Sequence, residues 1–246
     1  MGAILNLKDI KKLTTADIIT DYDKLSERCD EFDLTKKNNE AQEIIVKLKQ
    51  IIRSDETIAG LSAIQIGYNK RIICINFNGD IRTFINPIIE KAEGLELSRE
   101  SCHSIPGKEY IRIRQNNITV TYQTPLAKIE TVELAGMAAR VMQHHIDHLD
   151  GLLISDVGLE IDEDWDKATD EERQEVIDYY IDSLDLKSKE LSKEIAEDKD
   201  ATQLSNAIKF MNSVREGKTK IEQLPLTDDE LKVIEEYKKE QEEHKE

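Results

Sequence analysis

Several things are scarce in this sequence, and each scarcity closes off a class of protein. Three cysteines, Cys29, Cys74 and Cys102, cannot form a fully paired disulfide framework, and no Cys-x-x-Cys pair occurs. A reducing compartment fits that usage. Long apolar runs are missing; stretches such as Ile72-Ile73-Cys74-Ile75 are strand-sized and far below membrane-spanning length. Charged residues interrupt the N-terminal run after Leu7, so no secretory signal is expected there. Met1-Gly2 also lacks the Ser or Thr that myristoylation needs, because Asn6 stands in that place. Positive charge is in deficit as well, with 34 basic against 51 acidic residues and a net charge of -17. Such a field repels nucleic acid and anionic membrane. The expectation is a soluble, unanchored, cytoplasmic chain with no nucleic-acid and no membrane partner.

What is present describes a polar globular protein, with 39% apolar and 35% charged residues over 246 positions, enough to bury a real core. The charge is uneven. Residues 155–246 hold 29 acidic and 14 basic side chains, whereas residues 1–154 hold 22 and 20. Two parts follow, a first domain over 1–156 and an acidic extension over 157–246. In the first part, residues 16–53 read as helix with a polar break at Lys36–Asn39, and Cys29 reads as a helix-face or core residue. Strands are expected at Arg71–Asn76, Thr83–Ile88, Ile118–Tyr122 and Lys128–Leu134, with a hairpin turn at Asn78-Gly79-Asp80. Helical period returns over Gly136–Leu149. The extension reads as helical: Thr169-Asp-Glu-Glu172 is a capping box, and further helices are expected at Asn206–Val214 and after Thr227-Asp-Asp-Glu230. Its apolar stripe (Val176, Ile177, Tyr180, Ile181, Leu184) and acidic outer face read as packed helices with a solvated side rather than a surface for a basic partner. The last residues, Glu240–Glu246, read as frayed. The fold class is α+β with short antiparallel sheets.

The most informative segment is His144-His145-Ile146-Asp147-His148. On a helix, positions i and i+4 share a face, so His144 and His148 can present two imidazoles to one metal ion. Ordinary helix histidines are the alternative at this level. A third ligand is found in Cys102, whose neighbours Glu100-Ser101-Cys102-His103-Ser104 are polar and turn-like, while Cys74 sits inside an apolar strand and reads as core. Two imidazoles and one thiolate leave a fourth tetrahedral position open, as catalytic sites do.

Three segments together resemble the peptide deformylase family. Ile58-Ala59-Gly60-Leu61-Ser62-Ala63-Ile64-Gln65 is similar to that family's Gly-x-Gly-Leu-Ala-Ala-x-Gln. Glu100-Ser101-Cys102-His103-Ser104 is similar to its Glu-Gly-Cys-Leu-Ser, and His144-His145-Ile146-Asp147-His148 to its His-Glu-x-Asp-His. The order and separations agree, and the resemblance covers residues 1–156. It implies a deformylase-like α+β domain around a metal-binding helix; the all-helical acidic extension lies outside the resemblance and is read from residue pattern alone. It also implies hydrolysis of the formyl group from N-formyl-methionyl peptides with one divalent ion, Fe2+ or Zn2+, with Ni2+ as a substitute. By the same resemblance Cys102, His144 and His148 would hold the metal. Gln65 would donate to the developing oxyanion, helped by the backbone N–H of His103. Gly60 and Leu61 would shape the edge along which the peptide lies, and Met137 and Val141 would line the pocket for the methionine side chain.

The departures carry equal weight. The family's catalytic glutamate is His145 here, Ser101 and His103 replace a glycine and a leucine, and Ile58 replaces the first glycine. An imidazole can act as general base but brings no negative charge beside the metal. Three outcomes stand open: a slow enzyme with His145 as base, a metal-binding relic, or a site in which His145 itself joins the metal. The alternative function is a catalytically silent deformylase fold that meets a protein partner through 157–246.

Overall fold

A computed structural model describes residues 13–34 and 40–197. The helices expected at Asn206–Val214 and after Thr227, and the Glu240–Glu246 run, lie outside the described residues. Its centre is one antiparallel sheet in the order β1-β2-β3-β4-β5, with β6 paired to β4 beside that path. The strands are β1 (Gly60–Ser62), β2 (Ile72–Phe77), β3 (Asp80–Cys102), β4 (Ile105–Gln123), β5 (Ile129–Ala135) and β6 (Leu159–Ile161). The expected strands at Arg71–Asn76 and Lys128–Leu134 correspond to β2 and β5 within a residue. Asn78 and Gly79 form the two-residue turn between β2 and β3, both with positive φ (52° and 98°), the geometry that Asn-Gly favours.

Strand alternation decides what each face carries. On β2, Ile72 and Cys74 join one core, while Ile73 and Ile75 join the other, because successive side chains point to opposite faces. The first face is covered by helix α2 (Glu40–Ser54), whose Ile44, Leu48 and Ile51 are fully buried. Each such side chain contributes about 1.5–3 kcal/mol on leaving water. The second face takes helix α3 (Met137–Leu149) through Ala139, Met142, Ile146 and Leu149. Cys74 is core, as its sequence setting implied, and all three cysteines are free.

Two expectations need correction. Residues 16–34 do not form a helix; they hold a 3-10 turn at Thr15–Asp17 and a single helical turn, α1 (Tyr22–Leu25), followed by extended chain. Tertiary bonds override the helical pattern: Cys29 N donates to Leu149 O at 2.8 Å, and Phe32 N to Asn86 Oδ1 at 2.8 Å. Cys29 is thus buried core but not helical. The strands expected at Thr83–Ile88 and Ile118–Tyr122 are also fragments of much longer ones, 23 and 19 residues, which pair out to a turn at His103–Ser104.

Beyond the sheet, α4 (Ile154–Val157) and β6 lead to α5 (Asp170–Glu197). The capping box is formed: Thr169 N donates to Glu172 Oε2 at 2.8 Å, and Glu172 N to Thr169 Oγ1 at 3.2 Å. Of its apolar stripe, Tyr180 is buried while Val176 and Ile181 are exposed. Among the described residues no helix is long and apolar enough to cross a membrane.

Candidate metal centre

The centre is made where the far end of the β3–β4 hairpin meets α3. Period-2 alternation turns Ser98, Glu100 and Cys102 inward and leaves Arg99 and Ser101 outward. The register shifts between Ser101 and Cys102, beside the turn, a place where strands commonly re-aim a side chain. From α3, His144 and His148 arrive on one face. The ligand atoms of Cys102, His144 and His148 all lie within 4.8 Å of one another, and Cys102 Sγ stands 3.3 Å from His148 Nε2. Glu100 Oε2 takes His144 Nδ1 at 2.9 Å, which leaves Nε2 as the donor atom of that ring. One sulfur and two imidazoles converging in a buried site fit a divalent transition ion.

The electrostatics prepare that donor set. Burial alone would raise the Cys102 thiol, but hydrogen bonds and charge from His144 and His148 bring it down to about 5. For His144 burial pulls the other way, and the bonds to Cys102 and Glu100 carry it up to about 9. Glu100 would be raised by burial, yet Arg114 and His144 hold it well below the usual carboxylate range. Behind this first layer lies a ring of buried charge. Arg114 binds Glu100 through Nε and Nη2, both at 2.7 Å, and shares Asp147 with Arg112, whose Nη1 donates to Oδ2 at 2.6 Å.

Gln65 sits in the 3-10 turn Ala63–Ile66 after β1. Its Oε1 accepts from Ser62 N at 3.0 Å and Ser62 Oγ at 3.1 Å. That fixes the amide so that Nε2 points into the centre, 3.8 Å from Cys102 Sγ and 3.2 Å from Ser104 Oγ. His103 is half-buried in the turn, within electrostatic reach of Asp55. Leu61 is fully buried in the α2-side core, so it offers only backbone to a ligand at the β1 edge. Met137 is 65% exposed and Val141 half-buried, two turns and one turn before His144. Two surface hollows, of about 430 and 400 Å³, are lined elsewhere, by residues such as Phe32 with Asn86 and Lys91 with Leu134.

His145 lies between the cluster and β1, its ring centroid 5.2 Å from that of His144 and 6.1 Å from that of His148. Its ring lies over Gly60, where an added Cβ would stand 2.7 Å from His145 Nε2; only glycine admits the ring there. It is 5% exposed, its Nδ1 has no hydrogen-bond partner, and burial, then the charges of His144 and His148, push its pKa well below the ordinary value. His145 is not among the residues whose ligand atoms converge.

Sequence reasoning missed Ser62, Ser104, Arg112, Arg114, Asp147 and the part Glu100 plays. A signal existed for some: Glu100 opens the second motif, Asp147 lies between the two histidines, and Arg112 and Arg114 share a strand face by period 2. Their pairing across strands had none.

The fold agrees with known proteins. The family model for polypeptide deformylase matches residues 16–162, more than half of the chain. The peptide deformylase of Dictyoglomus thermophilum is 35% identical over 133 residues, covering 52% of this chain and 87% of that protein. The crystal structure of the Thermotoga maritima peptide deformylase is 30% identical with a TM-score of 0.51, covering 54% of this chain and 89% of that one. The Synechococcus elongatus enzyme in complex with actinonin is likewise 30% identical at a TM-score of 0.51, covering 54% and 74%. The chain belongs to the polypeptide deformylase family. A deformylase-like function goes with that membership, and the family is metal-dependent.

Proposed function

We propose that this protein hydrolyses the N-formyl group of formyl-methionyl peptides in the cytoplasm, with chemistry weakened by His145 in the base position. The convergence of Cys102, His144 and His148 under the Gln65 amide carries this reading. A divalent ion held by those three residues would supply Lewis-acid polarisation and a water of lowered pKa; Fe2+ and Zn2+ both suit the donors. Gln65 Nε2 donates to the oxygen that gains charge as the formyl carbon becomes tetrahedral, with the backbone N–H of His103 beside it. His145, neutral at physiological pH, would accept a proton at its unpartnered Nδ1 from the attacking water as the water oxygen bonds to the formyl carbon, and return it to the amine as the C–N bond breaks, giving formate and a free N-terminus. A neutral base so depressed in pKa is a poor substitute for a positioned carboxylate, and a loss of about 10²–10⁴-fold in rate is expected. Gly60 and Leu61 present the β1 edge to the peptide, with Met137 and Val141 beside its methionine.

One observation favours a second reading. The buried, unpartnered His145 Nδ1 and its ring lying over Gly60 also suit a silent site, with the extension 157–246 meeting a protein partner. The variant His145→Glu separates the two. With one equivalent of metal and a formyl-Met peptide, the first reading gives slow formate release in wild type and a rise of about 10²-fold or more in the variant. No formate from either protein at high enzyme concentration, with actinonin binding absent as well, would favour the silent fold.

A further inference from the structure

Helix α5 begins beyond the residues matched to deformylases, yet one of its side chains reaches the back of the centre. Tyr180 is 4% exposed, while its neighbours Tyr179 and Ile181 are 71% and 37% exposed. Its Oη donates to Val157 O at 2.8 Å, at the end of α4, and its phenol stands within electrostatic reach of Arg112, Arg114 and Glu100. The place of Tyr180 is set by the start of the helix. Arg173 donates from Nε to Trp165 O and from Nη2 to Asp166 O, both at 3.0 Å. Asp166 is itself held by Arg99 at 2.7 Å, so the 165–173 segment is tied to β3 before Tyr180 inserts.

Two routes lead from Tyr180 to the donor atoms. Through Val157 it pins α4, whose Ile154 is 2% exposed and packs on Cys102 and Tyr110. Through β4 it accepts a hydrogen bond from the backbone of Ile113, between Arg112 and Arg114, which hold Asp147, between His144 and His148, and Glu100, which orients His144. Groups behind a metal ligand that fix its orientation commonly govern affinity. We propose that Tyr180 is a positioning residue of the Cys102–His144–His148 centre, which makes α5 part of the site rather than an appendage to it. This inference rests on the metal reading above.

The test uses the full-length chain as wild type, Tyr180→Phe and Tyr180→Ala. Cobalt(II) is the probe, read by its thiolate charge-transfer band and by competition with a chelator. In parallel, the labelling rate of Cys102 is measured in metal-free protein by peptide mapping, and Trp165, the single tryptophan, reports docking of the segment. In Tyr180→Phe the Trp165 emission stays as in wild type, while cobalt affinity falls several-fold and the band shifts. In Tyr180→Ala affinity falls about tenfold or more, and Cys102 labels several-fold faster. A Tyr180 that only supports the fold would lower the melting temperature and leave band, affinity and labelling unchanged; that result overturns the proposal. If Tyr180→Ala does not fold, the Phe variant decides alone. A wild-type chain with no cobalt–thiolate band sinks the metal reading instead, and the labelling rates then decide whether Tyr180 governs Cys102.

Discussion

The α2 side of the sheet and the far end of the β3–β4 hairpin are both buried, but by opposite means. Under α2 the contacts are Ile44, Leu48, Ile51, Leu61 and Ile72, with no charge among them. Under α3 the hairpin buries Glu100, Arg114 and Asp147, with side chains 9%, 3% and 17% exposed, beside Arg112 and His144. The apolar side draws its stability from area and tolerates changes of shape that keep volume. The charged side is balanced and not additive: each member is tolerable only while its partners remain. The difference locates function, since the costly arrangement is the one that orients the donors.

That contrast can be broken most strongly at Arg114. Arg114→Ala leaves Glu100 with His144 alone and Asp147 with Arg112 alone, and about 3–5 kcal/mol of stability should be lost in denaturant unfolding. Adding apolar replacements on both sides sharpens the point. Arg114→Met with Glu100→Leu should recover most of the loss, because paired charges can be exchanged for apolar packing, yet metal affinity should stay low because His144 has lost its orienting carboxylate.

An effect on the order of 1–2 kcal/mol is expected from pH in the metal-free protein. Cys102 titrates near 9.0 unfolded and about 5 folded, so its contribution is present above 9, shrinks as pH falls, and is gone below about 5. His144 runs the other way, from 6.5 unfolded to about 9 folded, with a contribution present below 6.5 and lost as pH rises through 9. Between 6.5 and 9 the two slopes cancel. Stability should therefore climb from pH 5 to 6.5 and then level off, and Cys102→Ala should remove the climb. Cys29 and Cys74, pushed up to about 12 and about 11 with burial as the first cause, stay protonated throughout, so thiolate absorbance across this range reports Cys102 alone. The smallest effect belongs to the apolar side: Ile51→Val should cost about 0.5–1.5 kcal/mol and leave metal stoichiometry untouched.

What could be read from the sequence follows the same division. Strands β2 and β5 and helix α3 were legible because apolar residues recur at the period of each element. The triad of Cys102, His144 and His148 was legible through three ordered motifs, and the structure brings its ligand atoms together. The outer hairpin, residues 89–117, was not legible as strand. One face does carry Leu95, Leu97, Ile111 and Ile113, but the other is Glu96, Ser98, Glu100, Arg112 and Arg114, whose burial depends on partners in other elements, so no apolar run marked the strands. Residues 16–34 failed for a related reason, since Cys29 and Phe32 spend their backbone donors on Leu149 and Asn86.

The turn at His103–Ser104 also has a kinetic consequence. Pairing of β3 with β4 closes through that short turn, so Glu100 and Arg114, 14 residues apart, can meet in an early zipper of the microsecond kind. His148 lies 46 residues beyond Cys102, and its arrival must await the docking of α3. In refolding, the thiolate on the hairpin and the two imidazoles on α3 therefore come together only when the helix lands. The colour of a cobalt-loaded chain should thus lag behind the sheet and report the last long-range closure of the fold.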